Sequence, residues 1–454
     1  MTSPSFAGPV KTNTSAAYAR SLLGLLFTIN LLNYIDRLVI SGLLEPIRKD
    51  LGLNDAQLGI IGLAFLLPYS LLPPIVGWIG DRAKRTKLIS AAISVWSLAT
   101  GIAGLAHGFI QLALTRAVVG VGEATYMTVA PSLIADCYPA GQRGTAMSLF
   151  YIASPVGAGL GVLLGGMVAA AYGWRTACLL VGLPGILMAV VIAVVPEPDR
   201  GTLDPGQEAH RPALGTAARQ LLRNKAFLLL AAAYTVQSFA YNPIEFWLPT
   251  ILQRDKGIPL AQASTAYGTI VFVAGVIGPF LGGLAGDLLV KRFKGAYYYL
   301  CAAAAVASVT PLVLIAIQER GTTLFSAAFF EIFFGNISTG LVFAILVTVV
   351  IPGLRGTATA VMLTVMHLLG DGISQPLIGH ISTWLNSDSP LATATKSLGA
   401  AVHIPAQHHL SLALVCVTLP AFLLASLLYV APLFLGVPGG HQARATSGSS
   451  AKAV

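Results

Sequence analysis

The chain has 454 residues, of which 55% are hydrophobic and only 10% are charged. A soluble domain carries roughly a quarter of its residues as charges, so this composition excludes a water-soluble fold. The formal net charge of +9 at pH 7 could indicate binding to nucleic acid or to anionic lipid, and the positions of the basic residues decide between these readings.

Apolar residues fall into repeated blocks of about twenty residues or more, the length at which a helix crosses a hydrocarbon core of roughly 30 Å. The first block is too long, and too polar in its middle, for a cleaved signal peptide, so we interpret it as a span. The blocks predict twelve membrane-spanning helices, near residues 19–44, 57–80, 88–106, 110–135, 143–170, 175–195, 226–252, 262–290, 296–317, 323–350, 356–384 and 408–435.

The basic residues are distributed unequally between the two sides of this predicted bundle. If the N-terminus is cytoplasmic, eighteen of the 27 lie in cytoplasmic segments and seven in outer loops, which is the positive-inside pattern. We therefore expect both termini in the cytoplasm and no nucleic-acid partner. The short outer loops favour a bacterial cytoplasmic (inner) membrane.

The longest polar interruption, residues 196–225, predicts a cytoplasmic linker because it is rich in Pro, Gly and charged residues. Motifs before it return after it: the segment 77–85 resembles 283–292, and 141–146 resembles 353–358. Such a repeat predicts an all-α membrane protein of two duplicated six-helix halves. The expected organisation is a first half at 1–195, the linker at 196–225, a second half at 226–435 and a cytoplasmic tail at 436–454.

The loop after the second span combines glycines with acidic and basic residues. A glycine-spaced helix end would let Asp81 meet a neighbouring helix N-terminus while the arginines face carboxylates. A basic loop that only sets topology is the alternative reading. We predict a gating role for Gly77, Asp81, Arg82, Arg85 and Asp136.

Ionisable residues inside predicted spans cost several kcal/mol and are functional candidates. The first span places Asn30, Asn33 and Arg37 on one face, with Asp36 beside them. We expect a proton-coupling group of Asp36, Glu123 and Arg37, in which the arginine is a movable counter-charge.

The fourth span carries Arg116 and Glu123 two turns apart, separated by Gly120 and Gly122, which would let another backbone approach closely. Fixed neutralising pairs, Asp36 with Arg37 and Glu123 with Arg116, are the structural alternative to a proton switch.

The second half differs from the first in these positions. Asn336 aligns with Glu123, and the eleventh span carries a polar stripe with a histidine and an aspartate one turn apart. Such a pair can relay a proton or bind the polar head of a substrate, and the two residues can also simply hydrogen-bond each other. We predict that substrate contacts Asn33, Arg37, Arg116, Glu331, His367 and Asp371, and that Glu245 lies near the outer mouth.

Two resemblances follow from these motifs. The duplicated frame and the loop 77–87 resemble the major facilitator superfamily, whose fold implies two halves that rock around a central site. The fifth span, 154–166, resembles the glycine-proline stretch of its exporters, although close helix packing alone would explain it. The runs 30–37, 116–124 and 367–376 together resemble the spinster family, which implies a lysophospholipid or sphingosine-phosphate-like substrate.

The sequence therefore predicts a proton-coupled secondary transporter, an antiporter by its exporter-like stretch, that moves an amphipathic lipid by alternating access and acts as a monomer among membrane lipids. The alternative is a proton-coupled drug or organic-anion exporter of the same fold. An enzyme is not expected, because no nucleophile motif accompanies His367 and Asp371. We expect no cofactor and no metal site, and we expect the four cysteines to be free thiols.

Overall fold

The computed structural model describes residues 15–200, 214–293 and 295–435, which form helices and connecting turns without a β-strand. Its spans, named TM1 to TM12, are Ala16–Leu51, Asp55–Leu71 with Pro73–Gly80, Arg85–Ala103, Phe109–Cys137, Ala140–Tyr172, Trp174–Val194, Lys225–Arg254, Leu260–Val290, Ala296–Ile317, Thr322–Val349, Arg355–Leu385 and His409–Phe434. The predicted all-α fold is confirmed. Within the described residues, two shorter α-helices, Leu214–Arg223 and Pro390–Ala401, and a 3₁₀ turn, Pro352–Leu354, lie outside the spans.

Ten of these helices are long and apolar enough to cross a membrane on their own. TM2 is the eleventh, because its two parts are bent by 43° where Pro73 starts the second part. TM7 falls short in composition, since polar residues interrupt it, but its thirty residues could extend roughly 45 Å.

Several sequence predictions concern residues beyond the described ones. The predicted tail at 436–454, the central linker residues 201–213 and five of the basic residues lie there: Lys11, Arg211, Lys294, Arg444 and Lys452. The four cysteines are all described, and they are free as predicted.

The spans pack as two groups. TM1 packs on TM5, and TM3 packs on TM4 and TM6; in the second group TM10 packs on TM8 and TM9, and TM12 packs on TM7 and TM9. The groups meet chiefly where TM5 contacts TM8 and TM2 contacts TM11, with a smaller contact between TM1 and TM7. Four helices therefore carry most of the boundary between the halves.

Glycines allow the halves to approach closely. A Cβ on Gly159 of TM5 would lie 2.5 Å from the carbonyl oxygen of Gly268 in TM8, and the reverse distance is also 2.5 Å. Two turns further along TM5, a Cβ on Gly166 would meet the side chain of Ser264 in TM8 at a similarly short distance. The glycine-rich stretch of TM5 therefore allows close helix packing, which the sequence analysis gave as the alternative to an exporter-like stretch.

We call the end of the bundle that holds the start of TM1 the inner end and the opposite end the outer end. At the outer end, Arg254 of TM7 donates to Glu45 of TM1 at 3.0 Å and to Asp55 of TM2 at 2.8 Å. Ser382 of TM11 also donates to Asp55, at 2.6 Å. We name these four residues the outer joint. Among the described residues, the hydrogen bonds and ion pairs between the halves all lie at this end.

The turn between TM1 and TM2 positions the outer joint. Gly52 ends TM1 with φ at +65°, a left-handed conformation that favours glycine. Asn54 then starts TM2 with a capping box, in which its side chain accepts from the Gln57 backbone while the Gln57 side chain accepts from the Asn54 backbone. Asp55 is thereby fixed at the first helical position of TM2, facing TM7 and TM11.

Candidate functional site

The centre of the first half holds an ion pair between TM1 and TM4. The Nε of Arg37 donates to Oε2 of Glu123 at 2.8 Å, and its Nη2 lies 2.8 Å from the same oxygen. The side chain of Glu123 is fully buried, whereas that of Arg37 is 16% exposed. A partly exposed arginine therefore neutralises a fully buried carboxylate.

Aromatic rings surround the Arg37 guanidinium. Its central carbon lies 4.3 Å from the ring centre of Tyr69, 4.7 Å from Tyr34 and 5.1 Å from Phe65. Arg116 lies over the other side of this group, 4.9 Å from the ring centre of Phe65. Such contacts stabilise a cation away from water, so both arginines can stay charged in the membrane.

Asp36 and Arg116 are buried without an ion pair within 4 Å among the described residues. Asp36 is 2% exposed, and its Oδ1 accepts a hydrogen bond of 2.5 Å from Thr100 of TM3. Arg116 is 4% exposed, and its Nε has no hydrogen-bond acceptor. Neither fixed pair considered from the sequence, Asp36 with Arg37 or Glu123 with Arg116, is therefore formed. Glu123 pairs with Arg37 instead.

Two further polar residues of TM1 lie on the same face. Asn33 is fully buried, and its side chain lies next to the carboxylate of Glu123. Asn30, one turn earlier, donates to the carbonyl oxygen of Phe150 at 2.9 Å. Asn33 thus lies beside the ion pair, whereas Asn30 holds TM1 against TM5.

The glycines of TM4 set its position. A Cβ on Gly120 would lie 2.3 Å from the backbone oxygen of Phe65, and one on Gly122 would lie 2.7 Å from that of Ala92. The predicted close approach of another backbone is therefore confirmed, with TM2 at Gly120 and TM3 at Gly122. This packing fixes the rotation of TM4 and directs Glu123 towards TM1.

In the second half, the centre of TM11 is a π-helical segment, Met366–Asp371. His367 Nδ1 lies 2.7 Å from Asp371 Oδ2, and Ser238 of TM7 donates to the other carboxylate oxygen. Single π-helical turns are rare and occur frequently at functional sites. The ring of His367 packs edge-on against that of Tyr69, with centres 5.5 Å apart. Tyr69 therefore contacts both Arg37 of the first half and His367 of the second.

A second polar group lies between TM7 and TM10. Asn336 donates to the Tyr241 hydroxyl at 2.6 Å, and Tyr241 donates to Glu245 at 2.9 Å. Glu245, which the sequence analysis expects near the outer mouth, is half-buried and accepts this hydrogen bond. Glu331 is fully buried, and neither carboxylate oxygen has a hydrogen-bond partner among the described residues.

The loop after TM2 also forms a charged group. Arg85 pairs with Asp136 at 2.6 Å and with Glu197, at the start of the linker, at 2.8 Å. Arg82 differs from the expectation, because its guanidinium lies 4.2 Å from the ring centre of Trp78 and donates to the Trp78 carbonyl. Asp81 is exposed.

Glu197 was not singled out from the sequence, where it appeared only as one charge of a polar linker. Burial raises its pKa, but the hydrogen bonds and the charge of Arg85 outweigh burial and hold the pKa below its usual value. Gly77 lies one turn before the end of TM2, where a Cβ would be 3.9 Å from Thr128. The outer joint was missed too, because helical periodicity cannot show which charges meet across halves. The described residues contain no cluster of three or more potential metal ligands.

The duplicated frame and the buried charged site of the first half are features of a transporter of the major facilitator fold. The family model for the Major Facilitator Superfamily matches residues 26–374, and the chain belongs to that superfamily. A solved D-xylose-proton symporter shares the fold with a TM-score of 0.71 at 17% identity, covering 91% of this chain and 97% of that one.

Within the superfamily, the chain belongs to the spinster family. It is 35% identical over 402 residues to spinster homolog 1 of Xenopus laevis, covering 83% of this chain and 76% of the relative. Human spinster homolog 1 is 34% identical over 404 residues, covering 84% and 76%. A solved bacterial homolog of the human lysosomal transporter spinster, in an inward-facing and unoccupied conformation, has a TM-score of 0.79 at 24% identity, covering 92% of this chain and 98% of that one.

Proposed function

We propose that the protein couples proton movement to the transport of an amphipathic lipid, such as a lysophospholipid or a sphingosine-phosphate-like molecule, by alternating access. We place it, as a monomer, in a bacterial inner membrane with both termini in the cytoplasm. The observation that carries the coupling is the arrangement of the acids and bases in the first half. One arginine is paired with Glu123, while a second carboxylate, Asp36, lies nearby without a cationic partner.

The coupling step is a change of partner for Arg37. When a proton from the aqueous side binds an oxygen of Glu123, the carboxyl becomes neutral and loses its attraction for the guanidinium. The side chain of Arg37 is long and partly exposed, so it can then turn to Asp36 or to an anionic group of a substrate. Loss of the proton restores the pair. Because Arg37 packs on TM2 through Tyr69, this exchange would change the contacts of TM2, which lies at the boundary of the halves.

The proposed substrate chemistry rests on the surroundings of the same arginine. An anionic head group would contact Arg37, Arg116 and Asn33, and its remaining polar groups would reach His367 and Asp371 across Tyr69. The apolar chain would lie against the aromatic and aliphatic walls. The family's association with lysolipids supports this choice over other anions, and the buried carboxyl of Glu331 could meet an amine on the substrate.

The test uses purified protein in liposomes with an imposed pH gradient and radiolabelled lysophosphatidylcholine or sphingosine 1-phosphate. We expect the gradient to stimulate transport by the wild type. Asp36→Asn and Glu123→Gln should abolish that stimulation while still allowing exchange of labelled for unlabelled substrate, because only the proton step is removed. Asp50→Asn is the matched control, since this TM1 carboxyl pairs with Arg175 at the outer end, outside the site.

Unchanged gradient stimulation in both site variants would refute the proton coupling. The same liposomes distinguish a drug or organic-anion exporter. Such a protein would transport a cationic or anionic dye in response to the pH gradient, and lysolipid would not compete with the dye for transport. Mass spectrometry of the transported lipid checks that it crosses unaltered, as expected for a transporter.

A further inference from the structure

A polar cavity of about 380 Å³ lies at the outer end of the second half, apart from the central site. The turn after TM7, the loop between TM9 and TM10 and the segment before TM12 form its walls. At roughly 30 Å³ per water molecule, it has room for a small ion with part of its hydration shell. Six charged or titratable residues line it: Arg254, Asp255, Lys256, Glu319, Arg320 and His408.

Lys256 is the least expected member of this wall. It is 2% exposed, and its Nζ donates to the carbonyl oxygen of Ala316 at 2.7 Å. No carboxylate lies within 4 Å of it among the described residues. A buried ammonium without a counter-charge is costly, and burial accordingly holds the pKa of Lys256 below its usual value despite the nearby Asp255 and Glu319.

The two carboxylates of the wall contact residues other than Lys256. Asp255 accepts the backbone N–H of Ser411 at 2.9 Å and its hydroxyl at 2.5 Å, so it caps the first turn of TM12. Glu319 is 59% exposed, and it lies 3.9 Å from Nδ1 of His408. His408 is nine-tenths buried, and that nitrogen has no hydrogen-bond partner in the described structure.

Arg320 is held in place without being neutralised. Its Nε and Nη2 donate to the carbonyl oxygens of Lys256 and Gly257, both at 3.3 Å. A guanidinium has five N–H donors, so three are not used by these bonds. Arg254 is already paired with Glu45 and Asp55 of the outer joint, so Lys256 and Arg320 are the two cations of this wall that have no carboxylate within 4 Å among the described residues.

We propose that this outer cavity is a binding site for an oxyanion of the phosphate type, held by Lys256, Arg320 and His408. The anion supplies the counter-charge that Lys256 lacks and the partner that His408 Nδ1 lacks. Because the cavity opens at the outer end of the bundle, the phosphate group could come from the outer medium or from the head group of an anionic lipid. The site is separate from the transport site, and it does not depend on the proposed substrate.

Thermal unfolding of the purified protein in a neutral detergent tests the site for free phosphate. Inorganic phosphate is titrated against chloride at equal ionic strength. We expect a saturable rise in the unfolding temperature with phosphate, and at least about a tenfold weaker apparent affinity in Lys256→Gln and in Arg320→Gln, because each removes a charge-assisted contact. Lys49→Gln is the control, since it removes the same charge from an exposed outer-end side chain that does not line the cavity.

The lipid source is tested with nanodiscs of phosphatidylcholine alone and of phosphatidylcholine with phosphatidate. Native mass spectrometry should show phosphatidate retained by the wild type and by Lys49→Gln, and lost from Arg320→Gln. Either ligand supports the proposal if its binding depends on these residues. Equal binding of both ligands by Arg320→Gln and the wild type, or no specific binding of either by the wild type, would overturn it. Arg320 is exposed, so its variant is expected to fold even if Lys256→Gln does not.

Discussion

Replacing Arg254 by alanine should loosen the outer joint and shift the protein towards a conformation that is open at the outer end. The side chain connects TM7 of the second half to Glu45 in TM1 and Asp55 in TM2, and Asp55 also binds Ser382 of TM11. Both acids are nearly buried, and the substitution leaves Asp55 without a cation where the halves touch, whereas Glu45 keeps its contacts with Arg48 and Lys49. Separation of the halves and entry of water would relieve the uncompensated charge of Asp55.

The size of the shift can be worked from the contacts. A charge-assisted hydrogen bond contributes roughly 1.5–3 kcal/mol when well buried, and an exposed ion pair contributes about 0–1 kcal/mol. The Arg254 side chain is 23% exposed, so we take an intermediate value of about 1–1.5 kcal/mol for each of its two pairs. A total of about 2–3 kcal/mol corresponds to a roughly 30–150-fold change in the ratio of closed to open outer ends.

The assay is a distance measurement between spin labels on the outer ends of the two halves. Leu105 and Leu391 are suitable positions because both are exposed, in different halves, away from the joint. Arg254→Ala should add or enlarge a population with a longer distance. Arg175→Ala is the matched control, because Arg175 pairs with Asp50 at the same end but within the first half. Identical distance distributions for the two variants would show that the joint does not hold the halves together.

Two further predictions concern the outer joint and the inner loop. Gly379→Ala should also open the outer end and lower the free energy of unfolding by about 1–3 kcal/mol, because the new Cβ would lie 2.2 Å from the backbone oxygen of Asp55. Gly283→Ala is the control: the space around this glycine is open, so neither the spin-label distances nor the unfolding temperature should change. Glu197→Gln should lower the unfolding temperature at pH 7. Because pairing with Arg85 depresses its pKa when folded, the deficit relative to wild type should be complete above the ordinary value of 4.5 and shrink as the pH falls below it; a deficit that stays constant through that range would contradict this linkage.

The spans and the repeat could be predicted from the sequence because they depend on local properties. Twenty apolar residues in a row have one stable arrangement in a bilayer, so composition alone locates a helix. TM7 shows where this reasoning weakens, since the polar residues that form hydrogen bonds in the second half also reduce its hydropathy. The twelve-helix count therefore required the position of TM7 in the duplicated frame as well as its composition.

The pairing of charges could not be predicted in the same way. Spacing along TM4 places Arg116 and Glu123 on one face, yet Glu123 binds Arg37 of another helix. The rotation of TM4 depends on the backbones that Gly120 and Gly122 contact, and those belong to other helices. The same reasoning applies at the outer joint, where the partners of Arg254 are about two hundred residues away in sequence. Glycines mark where helices approach, but they do not say which helix approaches.

The difference between the halves has a physical consequence for the proposed mechanism. Asn336, which aligns with Glu123, cannot be charged, and it is held by the Tyr241 hydroxyl rather than by a cation. A proton arriving at that position would therefore change no ion pair, whereas at Glu123 it would free Arg37. The second half instead presents His367 and Asp371 on a π-helical turn, against the same Tyr69 that contacts Arg37. The ring of Tyr69 thus lies between the proposed protonation site of the first half and the polar group of the second. Replacing Tyr69 by a rigid non-aromatic residue should uncouple proton movement from transport without breaking the Arg37 to Glu123 pair, measured as loss of gradient-stimulated transport in the liposomes.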